Sequence, residues 1–503
     1  MSGSPHVDNV RDEGVERRSM RWEDSGPVGG AVALLGPVSR VAVVALVVCA
    51  QISGTPAAQA AGQDCAASGR AARYVVVFDK GTSADSAARQ VGAACGTQTV
   101  YYPQIAVGVA TSADQGFASN LGLDRAFSAQ AGRRAAPHSH QPGTPAPVAA
   151  AGAVPGADRT GDQWDMRAIG AAWPPGRSPG SRSVVVGVLD SGVDATHPDL
   201  AAAIAPGKSA GCLTGAPDTS AASWLPGTSS HGTHVAGTIA AANDGKGVTG
   251  VAPGVSVASV KVVDDRGYVD PEAAVCGLMW AATQHMQVTN SSYFVDPWGL
   301  SCAHGDDHGV VHEAMARAVE YSTAAGTLNV AAATNEAVNL TPSPKSGTPP
   351  GGTGCEALPA GLRDVVAVSA IGANPVKAGY SSYGLGVIDL TAPGGDGGDC
   401  VLSTVPSGYA PLCGTSMAAP HVAGTAALLA SAHPEASPRT LRADLEHEAK
   451  PVPCPADYDL TGDGDQDAFC DGYSAYNGFY GHGLVDAAAA VPAPPAPDLR
   501  LVR

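Results

Sequence analysis

Basic side chains are scarce in this sequence: 29 lysines and arginines stand against 46 aspartates and glutamates in 503 residues, a formal net charge of −17. Such a chain cannot neutralise a run of phosphates, which argues against a nucleic-acid partner. Hydrophobic residues make up 44% of the chain. That is enough for a large packed core, which argues against a fibrous or wholly disordered protein.

Long apolar runs are also rare. Basic residues up to Arg40 precede the apolar run Val41 to Ala50, and Ala58-Gln59-Ala60 has the small-x-small pattern of a cleavage site. This order is typical of an export signal, so we expect residues 1–60 to be a signal segment and the protein to be secreted and extracellular. Translation from Met20 would give a shorter signal of the ordinary length.

The alternative is an uncleaved membrane anchor, because a weaker apolar stretch begins at Ala31. Pro37 and Arg40 interrupt that stretch. The interruption favours a removable signal, and no stable membrane insertion is expected after its removal.

No Cys-x-x-Cys pair occurs among the eleven cysteines, which argues against a zinc site of the usual spacing. Cys49 lies in the signal, and Cys65 and Cys95 lie in the region that follows it. The other eight could form four bridges, as expected for an exported chain. Spacing does not fix the pairing, although Cys400 with Cys413 and Cys454 with Cys470 are the local possibilities. The eight are Cys212, Cys276, Cys302, Cys355, Cys400, Cys413, Cys454 and Cys470.

One loose group keeps a metal site open as an alternative. His304, His308 and His312 recur every four residues after Cys302. They would share one face of a helix, but Gly305 and Gly309 disfavour a continuous helix there. A metal site is therefore the less favoured interpretation of this segment.

The pattern along the chain predicts four further regions after the signal. Residues 61–130 have two strand-like runs around an Ala-rich helical stretch, Ser83 to Ala94, which predicts a small α+β unit. Residues 131–162 are rich in Ala, Pro and Gly and predict a linker that a protease could cut. Residues 163–491 form the main domain, and residues 492–503 are a Pro-rich tail.

Short apolar strands alternate with helices in the main domain. This alternation predicts an α/β fold, a doubly wound, mostly parallel sheet with helices on both faces. The expected strands are Ser183 to Leu189, Val255 to Val263, Gln287 to Asn290, Thr327 to Ala333 and Asp364 to Ala370. The expected helices are His231 to Ala242, Pro271 to Gln284, Gly309 to Ala325 and Thr415 to Ala432.

Three polar residues stand where these elements begin or end. Asp190 closes an apolar strand, and His231 and Ser416 each lie at the start of a helix. A serine hydroxyl becomes a nucleophile when an imidazole takes its proton, and a carboxylate then orients the imidazole. We therefore predict a catalytic triad with Ser416 as nucleophile, His231 as general base and Asp190 as the orienting anion.

The sequence around these residues resembles the subtilisin family of serine peptidases. Asp190-Ser-Gly-Val-Asp194, His231-Gly-Thr-His-Val-Ala-Gly237 and Gly414-Thr-Ser-Met-Ala-Ala-Pro420 match its motifs and their chain order. The resemblance extends over residues 163–491. It implies a subtilisin-like fold, a serine endopeptidase and a prodomain at 61–130 that inhibits the enzyme within the precursor.

The resemblance also assigns the site around the triad. Asn335 and the backbone N–H of Ser416 would form the oxyanion hole. Thr334 replaces the glycine that usually precedes this Asn, and Tyr293 and Phe294 replace a Leu and a Gly that usually follow Ser292. Ser292, Tyr293, Phe294 and Thr334 are expected to bind substrate, and the replacements are expected to alter the shape of the pocket. His197, His234 and His421 lie in the same motifs and are expected to pack or to form hydrogen bonds.

Chemistry needs no cofactor in this interpretation, but a structural calcium ion is predicted. The segment Ala242 to Val248 matches the family's calcium loop and Asp199 its distant ligand. The ligands would be Asp199, Asp244 and the carbonyls of Ala242, Lys246 and Val248, and the alternative is a solvated turn. The run Asp457 to Asp467 has the oxygens for a second cation, but lacks the downstream Glu of a helix-loop-helix site.

Two other functions fit the sequence less well than an endopeptidase. A binding protein that had lost catalysis would lack one of the triad residues or Asn335, and all four are present. An esterase would require a Gly-x-Ser-x-Gly turn, which Gly414-Thr-Ser-Met-Ala418 does not complete. A monomer that acts on protein or peptide substrates is the expected form of the protein.

Overall fold

The computed structural model describes residues 65, 69–135, 156–297, 306–342 and 356–491. The expected signal, most of the linker, the Pro-rich tail and the side chains of Cys302, His304 and His308 lie outside these residues. In the described part, no helix is both long and apolar enough to cross a membrane.

The first described unit is a small α+β structure. Its antiparallel sheet has the order β2-β3-β1-β4. Helix α1 begins after Ser83, whose hydroxyl accepts a hydrogen bond from the N–H of Ser86. The elements are β1 (Ala72–Val77), α1 (Ala84–Ala93), β2 (Thr97–Tyr102), β3 (Val107–Ser112), α2 (Phe117–Leu121), β4 (Ala126–Phe127) and α3 (Ala129–Ala135).

Helix α3 differs from the sequence-based expectation, which began the linker at residue 131. The segment is helical to Ala135 because it is anchored on both sides: Ser128 caps the N–H of Ala131, and Arg134 donates hydrogen bonds to the carbonyls of Arg70 and Ala71. Ala-rich composition therefore continued a helix here instead of starting a flexible connection.

The main domain is built on a seven-stranded sheet of order β11-β10-β9-β8-β5-β7-β6, and every neighbouring pair in it is parallel. Its strands are buried on both faces, which explains their continuous apolar sequences. They are β5 (Val185–Asp190), β6 (Ala210–Gly211), β7 (Ser256–Lys261), β8 (Val288–Ser291), β9 (Leu328–Ala332), β10 (Val365–Ile371) and β11 (Leu390–Pro393).

Helices cover both faces of this sheet, as predicted. The main helices are α4 (Trp164–Ala168), α5 (Ala221–Trp224), α6 (His231–Ala240), α7 (Pro271–Thr283), α8 (Asp306–Ala324), α9 (Thr415–Ala432) and α10 (Pro438–Glu448). Apolar residues of α6, α9 and α10 share one core with alternate strand residues such as Val186 and Val188. Residues of α7 and α8 share the second core with the other set, such as Val185 and Leu189.

The second core also includes the first unit. Val75, Val77 and Val107 of its sheet pack with residues of α7 and α8. Polar contacts surround this packing: Arg317 donates to the carbonyls of Phe78 and Ile105, and the hydroxyl of Tyr102 donates to Gly215. The first unit therefore covers the face of the main domain formed by α7 and α8.

Two hairpins complete the described structure. They are β12 (Val401–Val405) with β13 (Gly408–Leu412), and β14 (Gly472–Tyr473) with β15 (Tyr476–Asn477). The first hairpin packs closely on α6, where a Cβ at Gly237 would lie 2.2 Å from the hydroxyl oxygen of Thr404. Only glycine fits at this contact.

Four disulfides join described cysteines: Cys65–Cys95, Cys212–Cys276, Cys400–Cys413 and Cys454–Cys470. The two local pairs considered from the sequence are both present. Cys302 and Cys355 lie outside the described residues.

Candidate active site

The carboxyl ends of three neighbouring parallel strands bring the predicted site together. Asp190 ends β5, Ser292 follows β8, and Asn335 lies three residues beyond β9. Leu189 and Ser291 are register partners, so Asp190 and Ser292 lie side by side at this edge. Helix α9 brings Ser416 to Ser292, where the two residues exchange hydrogen bonds.

Asp190 and His231 form a buried pair. Nδ1 of His231 donates to Oδ1 and Oδ2 of Asp190 at 2.8 and 2.9 Å, and the two side chains are 3% and 0% exposed. The N–H of Ser191 also donates to Oδ1 of Asp190. Because the carboxylate binds Nδ1, it fixes the tautomer and leaves Nε2 free to accept a proton.

Ser416 is buried at the start of α9, with 5% of its surface exposed. Its Oγ donates to the carbonyl of Ser292 at 3.1 Å, and Nε2 of His231 has no hydrogen-bond partner among the described residues. The Ser416 to His231 hydrogen bond of the predicted triad is thus absent from this arrangement. A change of the Ser416 rotamer would release the hydroxyl from Ser292.

Asn335 is held by its oxygen. Oδ1 accepts hydrogen bonds from the N–H and the hydroxyl of Thr415, both at 2.9 Å. Nδ2 therefore faces away from Thr415 and is available as a donor. Thr415 was inside a recognised motif, but its anchoring role depends on a contact 80 residues away in sequence that no spacing rule gives.

Thr334 is in the left-handed region, with φ of 77°, which is strained for a β-branched residue. Its hydroxyl lies 2.8 Å from that of Ser382, and its carbonyl accepts the N–H of Ser382 at 3.1 Å. These contacts with Ser382, which sequence reasoning missed, hold the threonine where the family usually has glycine.

The other predicted substrate-binding residues are placed differently from one another. Ser292 is buried against Ser416, and Phe294 is half-buried. Tyr293 is 3% exposed and belongs to the core shared with α7 and α8. Its ring is therefore buried in that core, and only its backbone is available to a substrate.

The three other motif histidines form hydrogen bonds, as expected. His197 binds the carbonyl of Gly408, His234 binds those of Val401 and Ala410, and His421 lies 3.1 Å from the carboxylate of Asp165. Asp165 is on α4, so the last contact ties that helix to α9.

Of the predicted calcium ligands, Asp244 and Val248 lie near the buried carboxylate of Asp199. Asp199 accepts hydrogen bonds from the hydroxyl of Tyr409 and the N–H of Val248. Burial raises the pKa of Asp199, and the charge of Asp244 raises it further. No lysine or arginine of the described residues forms an ion pair with Asp199. Asp199 and Asp244 are thus close enough to interact, and carboxylate oxygens are ligands that a hard cation such as Ca²⁺ prefers.

The second acidic run does not gather its carboxylates. Asp459 accepts the N–H groups of Gly462 and Gly464, and Asp467 accepts that of Leu460. Across the part of the chain that the structure describes, no three His, Cys, Asp or Glu side chains are grouped to hold a metal. His312, from the looser histidine set, lies 3.4 Å from Glu356.

The fold and this edge of the sheet define an α/β protein of the subtilisin type. Residues 181–483 match the model of the subtilase family, Peptidase S8, and the chain belongs to that family. It is 36% identical over 272 residues to subtilisin NAT of Bacillus subtilis subsp. natto, covering 53% of this chain and 60% of the relative. Fervidolysin of Fervidobacterium pennivorans is 32% identical over 365 residues, covering 67% and 45% of the two chains.

Solved structures agree with this assignment. A protease of Pseudoalteromonas arctica PAMC 21717 is 30% identical with a TM-score of 0.50, covering 67% of this chain and 99% of that one. The epidermin leader peptide processing protease of Staphylococcus aureus shares the fold at 20% identity, with a TM-score of 0.58 and coverage of 84% and 98%. The chain spans about 60% of the length of the curated relatives it matches first.

Proposed function

We propose that this protein is a secreted serine endopeptidase that cleaves peptide bonds through an acyl-enzyme on Ser416. The observation that carries the proposal is the Asp190–His231 pair, whose free Nε2 lies at the same sheet edge as Ser416. Its targets are protein or peptide substrates, and the protein acts as a monomer.

In the proposed reaction, Nε2 of His231 takes the proton of Ser416 as Oγ attacks the substrate carbonyl carbon. Nδ2 of Asn335 and the N–H of Ser416 donate to the oxyanion of the tetrahedral intermediate. His231 then gives its proton to the leaving amine as the C–N bond breaks. Water attacks the acyl-enzyme by the same route and restores Ser416.

We also propose that residues 61–130 are an inhibitory prodomain and that the maturing cut lies between about Arg133 and Gln163. The proposal is supported by the contact of this α+β unit with α7 and α8. A large parallel sheet is slow to form. The α+β unit, which contacts two of the helices on that sheet, would therefore assist folding of the main domain.

Calcium would be bound by Asp199, Asp244 and the carbonyls of Ala242, Lys246 and Val248. When bound, the ion would compensate the two carboxylates and stabilise the loop between α6 and β7. It takes no part in the reaction.

Substitution of Ser416 tests the function. Ser416→Ala is expected to be secreted as an uncut precursor without peptidase activity, whereas Ser431→Ala, which removes another hydroxyl of α9, matures normally. Normal maturation of Ser416→Ala made alone would refute self-processing. Failure of a serine-directed phosphonate to label Ser416 in the purified protein would refute the nucleophile and favour a binding protein without catalysis.

A further inference from the structure

Three carboxylates of the main domain are clustered beneath the first unit. Asp270 and Glu272 lie at the start of α7 and Asp296 lies five residues beyond β8. They are 7%, 1% and 0% exposed. We call these three residues and the neighbouring ring of Tyr268 the acidic pocket.

Two arginines of the first unit occupy the acidic pocket. Arg133 Nη2 lies 2.5 Å from Oδ1 of Asp270, and its guanidinium carbon is 4.4 Å from the centre of the Tyr268 ring. Arg73 contacts Glu272 at 3.1 Å and Asp270 at 3.3 Å. The guanidinium of Arg133 therefore has both an ion pair and a face-on aromatic contact, the combination that recognises arginine.

The pocket retains unused hydrogen-bonding capacity. Oε2 of Glu272 and Oδ1 of Asp296 are buried without a hydrogen-bond partner among the described residues. Burial raises the pKa of Glu272 to about 7 and that of Asp296 to about 8, and the charge of Arg133 opposes the second shift. A buried cluster of carboxyl groups of this kind contributes little to the stability of a fold, so recognition of a cation explains it better.

The acidic pocket is close to Ser416 along one segment. The carbonyl of Ser292 accepts the hydroxyl of Ser416, and Asp296 is four residues further on, at most about 14 Å away. Asp296 is fixed there by two hydrogen bonds with the backbone of Val269. A bound peptide extending four to six residues from Ser416 would span this distance at about 3.3 Å per residue.

We propose that the acidic pocket, once the first unit has left, receives an arginine side chain of the protein substrate and makes arginine near the scissile bond a determinant of cleavage. The proposal rests on the proposed endopeptidase function. Departure of the first unit removes both Arg73 and Arg133. Among the described residues, Arg266 is the remaining cation beside the pocket: it is paired with Asp264, and its guanidinium carbon lies 5.2 Å from the centre of the Tyr268 ring, further out than that of Arg133. Arginine is favoured over lysine because its planar group can pair with a carboxylate and stack on Tyr268 together.

The test is a cleavage profile of the mature protein on peptides that carry Arg, Lys or Gln at each of six positions on either side of the scissile bond. At one position, the kcat/KM ratio of the Arg peptide to the Gln peptide is expected to be about tenfold or more, the size of one charge-assisted contact. Asp270→Asn and Asp296→Asn should lower this ratio toward one. Glu435→Gln, which changes an exposed carboxylate elsewhere, should keep it.

Two results would overturn the subsite: no position in the wild-type profile at which arginine is preferred, or a preference that Asp270→Asn leaves unchanged. If Asp270→Asn does not fold, since this residue precedes α7, Tyr268→Leu replaces it, and an undiminished Arg to Gln ratio in that variant counts equally against the proposal. Absence of hydrolysis of every peptide would instead contradict the endopeptidase function.

Discussion

The side chain of Asn335 is oriented by Thr415, whose two hydrogen bonds occupy Oδ1 and leave the amide nitrogen as the available donor. Its surface is exposed, so no packing energy explains the fixed geometry. Orientation of a donor before the substrate arrives is what electrostatic stabilisation of an oxyanion requires. The contact with Thr415 also links this donor to the residue next to Ser416.

We predict that Asn335→Ala lowers kcat by about 100- to 1000-fold with little change in KM, the magnitude known for loss of the corresponding amide in subtilisin. The reason is that the amide contacts only the charged intermediate. Steady-state kinetics on a peptide substrate would check it, with the exposed neighbour Glu336→Gln as control. Equal losses in both variants would contradict the assignment.

At this scale the sequence indicated which residues to place in one candidate site, the triad and Asn335, because each lies in a long motif with a fixed chain order; their catalytic roles remain a prediction. It did not predict that Tyr293 would turn into the core, because a tyrosine in place of leucine can be buried or exposed with the same backbone. Nor did it predict the partners of Thr334 and of Arg133, which are distant in sequence. Local patterns carry no information on such contacts.

Helix α6 and the hairpin of β12 and β13 are joined by the buried ring of His234. Its Nε2 lies 3.0 Å from the carbonyl of Val401 and 3.1 Å from that of Ala410, one on each strand. Burial, with a smaller contribution from the charge of His231, lowers the pKa of His234 to about 3. The ring is therefore neutral in the folded protein at physiological pH.

The sign of the pH effect follows from this lowered pKa. The unfolded chain binds a proton at His234 near pH 6.5 and the folded chain only near pH 3, so its contribution to stability is complete above about pH 6.5 and is lost as the pH falls toward 3. We expect His234→Gln to be less stable than wild type at pH 8, by about 1–3 kcal/mol from the altered contacts. The difference should shrink at pH 4.

Urea unfolding of the Ser416→Ala protein with and without His234→Gln, at pH 8 and pH 4, would measure this difference. The uncut, inactive background prevents self-digestion. A stability difference that is the same at both pH values would contradict the assignment of this titration to His234.

The loop between α6 and β7 gives a second element-scale prediction. A chelator is expected to lower the thermal midpoint of the protein, because two interacting carboxylates, Asp199 and Asp244, would lose their compensating ion. Calorimetry with and without added Ca²⁺ would measure the shift, and Asp244→Asn should reduce it. An unchanged midpoint would remove calcium from the proposal.

Elements were predicted from the sequence with uneven success. Helix α9 has the predicted bounds, and the five predicted strands are present within one or two residues at each end. Helix α10 and the hairpin of β12 and β13 were not predicted, because their apolar residues are too few to set a period. Both are stabilised by packing against α9 or α6, which is a property of the assembled fold.

At the scale of the molecule, Arg317 connects the two units, since its guanidinium donates to the carbonyls of Phe78 and Ile105 at 2.8 and 3.1 Å. We predict that, after the proposed cut, Arg317→Ala weakens the binding of the proposed prodomain to the main domain by about 1–3 kcal/mol, the cost of losing charged hydrogen bonds. Because about 1.4 kcal/mol of binding free energy corresponds to a factor of ten, the lag between secretion and the appearance of peptidase activity should become roughly tenfold shorter.

A time course of activity in the culture medium would check the lag. Arg439→Ala, which removes an exposed arginine on α10, is the matched control. A lag that is equal in both variants would show that Arg317 does not hold the prodomain.

Each disulfide among the described cysteines closes within one unit, Cys65–Cys95 in the first and the other three in the main domain. After one backbone cut, these cross-links would not tether the two products. The time that the enzyme stays inhibited after the cut would then be set by how fast the first unit dissociates. Single surface substitutions could change that rate, and the redox conditions outside the cell would not.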